Sequence, residues 1–110
     1  MIDPRNVQTL IRPLLLAAVR GGFHDGGADW TPSYTGWEQR LTHRSVGEMA
    51  RVIEGIRRSA VADPTFIPYF VGVVPPTSPA LAAACVQASM YLDGRCTWAQ
   101  AERACSALVS

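Results

Sequence analysis

At 110 residues and 48% apolar content, the chain has the size and hydrophobicity of one globular domain that needs no disulfide or metal staple. A net charge of +1 argues against the concentrated positive field of a strong nucleic-acid binder, and no stretch has the ~18 apolar residues of a membrane span. Cys85, Cys96 and Cys105 cannot all pair within the chain and show no CxxC spacing, so a soluble protein in the reducing cytoplasm is expected.

The first helix is signalled at Asp3-Pro4, an N-cap followed by a proline where no hydrogen bond is lost. Val7, Leu10, Ile11, Leu14 and Leu15 follow at helical spacing, and Gly21-Gly22 end the pattern. Pro13 lies inside it and predicts a kink or a split near Arg12. Arg5 and Arg12 ahead of an apolar run imitate a signal peptide, but Asp3 and the short, proline-headed run speak against export.

Gly21 to Trp37 fits neither helical nor strand periodicity. It holds five of the nine glycines and four of the nine aromatics: Phe23, Trp30, Tyr34 and Trp37. Loops this long in a small domain are uncommon, and disordered segments lack aromatics. An ordered loop over 21–37 is therefore expected, packing on the body, binding a partner, or both.

Ser45 and Glu48 make a capping box for a second helix, with Val46, Met49, Ala50, Ile53, Ile56 and Ala60 as its apolar face and Asp63-Pro64 as its end. From Thr65 to Pro76 the sequence is ambiguous between a helical turn with an extended stretch and one irregular strand; Pro68 weakens both. Ser78-Pro79 starts a third helix, apolar on nearly all sides over Leu81 to Leu92, which belongs at the centre of the fold. After the Asp93-Gly94 turn, Thr97 and Gln100 cap a last helix that buries Trp98, Ala101, Cys105 and Leu108. The expected fold is all-α: one domain over 1–110, a bundle of four to five helices with the Gly/aromatic-rich loop between the first and second. No residue from Pro64 to Leu92 is charged, and part of that run could form a homodimer seam.

Candidate chemistry is sparse. His24, Asp25 and Asp29 lie together in the loop, and a His24/Asp25 pair could serve a small enzyme as a general base. No nucleophile stands at a recognisable spacing, and Asx-type turns explain the same residues, so no catalytic residue is assigned. His24, His43, Cys85, Cys96 and Cys105 have no ligand-pair spacing, so neither a metal nor a cofactor is expected. Cys85 and Cys105 read as small hydrophobes, and Cys96 as mildly reactive at most.

All ten basic residues are arginine. Each is a planar fork able to grip carboxylates or stack on aromatic faces, though a GC-rich coding genome explains the absence of lysine more simply and hints at a bacterial or phage source. Arg44, Arg51 and Arg58 recur every seven residues along helix two and, with Arg40, could follow phosphates. Glu48 behind Arg44, and Glu54 ahead of Arg57 and Arg58, favour a neutralised, solvated face instead. Tryptophan, tyrosine and arginine are the residues enriched in binding hot spots. Trp30, Tyr34, Trp37, Arg40 and Arg44 are accordingly the expected partner-binding set. The preferred reading is a small non-enzymatic interaction module: an inhibitor or adaptor docking on another protein, in the manner of phage or prophage proteins acting on host machinery such as an immunity complex. A nucleic-acid-binding regulator and a small enzyme are the alternatives.

Overall fold

The computed structural model describes residues 2–23, 44–63 and 77–109. Within them lie four helices and no strand: α1 (Pro4–Arg20), α2 (Val46–Ala60), α3 (Pro79–Leu92) and α4 (Trp98–Ser106). The fold is the all-α small domain that the periodicity predicts. The ambiguous stretch 65–76 lies outside the described residues.

Every helix starts at the cap its sequence announces. Asp3 accepts from the Arg5 amide, Ser45 from Glu48, Ser78 from Leu81 and Thr97 from Gln100. At α2 and α4 the third residue's side chain also returns to the cap backbone, completing both capping boxes. Each such cap contributes about 1 kcal/mol by satisfying amides that the first turn leaves free.

Three helices end alike. The amide two residues beyond the C-cap donates back to the carbonyl five residues earlier: Phe23 to Ala18 (3.0 Å), Asp63 to Arg58 (3.0 Å) and Arg95 to Met90 (2.8 Å). This closure needs a left-handed residue just past the C-cap. Gly22 (φ 73°) and Gly94 (φ 72°) supply it in α1 and α3, but α2 uses Ala62 (φ 54°). An L-residue in that conformation costs about 1–2 kcal/mol. The Asp63 carboxylate offsets part of that by accepting from Arg58 Nε at 3.0 Å.

The core is built chiefly by α1. Val7, Leu10, Ile11, Leu14, Leu15 and Ala18 are fully buried, and α1 touches all three other helices. α2 adds Met49, Val52, Ile53, Ile56 and Ala60, and α3 adds Leu81, Ala84, Cys85 and Ala88. α4 buries Ala101 and Cys105, with Trp98 and Leu108 half-buried as partial cover. The Asn6 amide donates to the Tyr91 hydroxyl at 3.4 Å, joining the start of α1 to the end of α3. Ser78 N–H donates to the Ala60 carbonyl at 2.9 Å, so α3 begins where α2 ends.

Three expectations need correction. α1 is not split: it runs unbroken for 17 residues with Pro13 inside. The ring removes one hydrogen bond to the Thr9 carbonyl, and Thr9 lies on the exposed side of the helix, away from the buried stripe. The buried face of α2 is wider than expected, taking in Val52, Gly55 and Ser59, while Ala50 and Val46 are only half-buried. Finally, α3 is central but not enclosed, because Ala83 and Val86 are exposed.

The closure of α2 yields a paired prediction. Ala62→Gly should raise stability in urea unfolding by up to about 1 kcal/mol, and Gly94→Ala should lower it by about 1 kcal/mol. A loss of stability in Ala62→Gly would contradict the left-handed backbone at that position.

Candidate functional site

Of the five residues expected to bind a partner, Trp30, Tyr34, Trp37 and Arg40 lie outside the described residues, as do His24, Asp25, Asp29 and His43. Arg44 is described, and so are both anchors of the intervening segment. On the N-terminal side Phe23 is buried in the core, directly after the closure of α1. On the C-terminal side the chain enters α2 through Arg44 and Ser45.

That entry is a tightly bonded cluster. The Ser45 hydroxyl accepts from the Glu48 amide at 3.2 Å and donates to Glu48 Oε1 at 3.1 Å. The Ser45 amide donates to the same carboxylate oxygen at 3.3 Å, and Arg44 Nη1 pairs with Glu48 Oε2 at 3.5 Å. The backbone and hydroxyl bonds from Ser45 hold the Glu48 carboxyl below its ordinary range, with the charges of Arg44 and Arg51 adding to the effect. Arg44, its side chain largely covered, thus pairs with the same carboxylate that caps the helix.

The arginine stripe is mostly neutralised. Arg44 is paired with Glu48, and Arg58 with Asp63. Glu54 serves Arg57 by direct contact and Arg58 through charge alone. It pairs with Arg57 at 2.6 Å, and the turn after α2 brings Asp63 to Arg58 instead. The Arg57 hydrogen bond lowers the Glu54 carboxyl and raises the guanidinium in turn. Arg51 stays exposed on the same face.

The cysteines gather at α3 and α4. Burial pushes the Cys85 and Cys105 thiols up to about 12, so both are protonated at neutral pH. Cys105 donates weakly to the Ala84 carbonyl at 3.8 Å, and Cys96 to the Gln87 carbonyl at 3.5 Å. Among the described residues, no three His, Cys, Asp or Glu side chains group as metal ligands.

One aromatic contact escaped the sequence reading. Tyr91 and Trp98 pack edge to face with centroids 5.5 Å apart, across the Asp93-Gly94 turn. Their placement on either side of a tight turn between two helices was the available signal. Both rings are half-buried and cover the core.

No family model, curated protein or solved structure matches the chain.

The Glu48 bonds set a pH dependence. A carboxyl lowered in the folded state stabilises above its unfolded pKa, near 4.5, and that contribution is lost as pH falls through the folded value. In Glu48→Gln the amide keeps the capping contact without titrating. The stability advantage of the wild type over this variant should therefore shrink between about pH 5 and pH 3 in urea titrations. An advantage that stays constant over that range would contradict the assignment.

Proposed function

We propose that the chain is a small non-enzymatic interaction module, an inhibitor or adaptor that docks on another protein through the segment 24–43 and the adjoining Arg44. The observation that carries this reading is the pair of anchors. A buried Phe23 and a fully bonded capping box at Ser45 hold the two ends of a segment containing Trp30, Tyr34, Trp37 and Arg40. Rigid elements presenting a connecting segment are the usual way a small scaffold displays binding residues. These residue types dominate interface energetics because they combine large contact area with directed polar groups. Arg44, paired with Glu48, extends that set onto the helical body. Pairing of Arg44 and Arg58 with carboxylates weakens the positive field that a nucleic-acid reading needs. An intracellular target in a bacterial host, such as an immunity complex, suits a module of this size.

The test is affinity capture from bacterial lysate with the full chain, beside a Trp30→Ala/Trp37→Ala variant of equal helicity. A stoichiometric protein retained by the wild type and lost by the variant is the expected outcome. Capture that is indifferent to the two substitutions, or that vanishes on nuclease treatment, would refute it.

A further inference from the structure

We draw no further inference here: the strongest candidate, the thiol cluster of Cys85, Cys96 and Cys105 at the seam of α3 and α4, carries nothing, because among the described residues these side chains do not group as metal ligands and two of the three thiols are buried and protonated.

Discussion

The apolar stripe of α1 is the contact on which the remaining structure depends. Five of the nine largest fully buried side chains belong to it, and it touches, as α3 does, each of the other described helices. Burying each of Leu10, Ile11, Leu14 and Leu15 contributes about 1.5–3 kcal/mol, more than any single cap or ion pair in the molecule. This explains how α1 tolerates Pro13. One missing backbone hydrogen bond on the exposed side is a small loss beside a stripe that packs on three partners. It also places Phe23, the last buried residue of the N-terminal part, where the chain leaves the core.

Against that frame the surface is organised by charge. α2 pairs its cations locally, through Arg44 with Glu48 and Arg57 with Glu54, and once across its closing turn, through Arg58 with Asp63. Exposed pairs of this kind contribute little stability. They do weaken the local positive field along α2 that would draw polyanions.

The sequence was most legible where structure is set by near neighbours. Asp3-Pro4, Ser45 with Glu48, Ser78-Pro79 and Thr97 with Gln100 each marked a helix start, because a cap is a bond between residues two or three apart. It was least legible where distant packing or backbone conformation decides. Nothing about an alanine signals the left-handed turn at Ala62, and spacing along the helix did not show that this turn brings Asp63 to Arg58. An unbroken apolar pattern in α3 told of burial but not of which side the bundle would leave open. Of the candidate binding residues, Arg44 alone falls in the described part, and its pairing with Glu48 was readable from their spacing. The edge-to-face pair of Tyr91 and Trp98 was signalled only by its place on either side of the Asp93-Gly94 turn, and forming it needs two helices folded back on each other.

The central claim is that the α1 stripe holds the bundle together. Urea unfolding of Leu14→Ala beside Leu16→Ala tests it most directly, because Leu14 is fully buried and Leu16 only half-buried. The account predicts a loss of about 3–5 kcal/mol for Leu14→Ala, enough to unfold much of a marginally stable domain, and a clearly smaller loss for Leu16→Ala. Equal losses at the two positions, or a Leu14→Ala loss below about 1 kcal/mol, would contradict it.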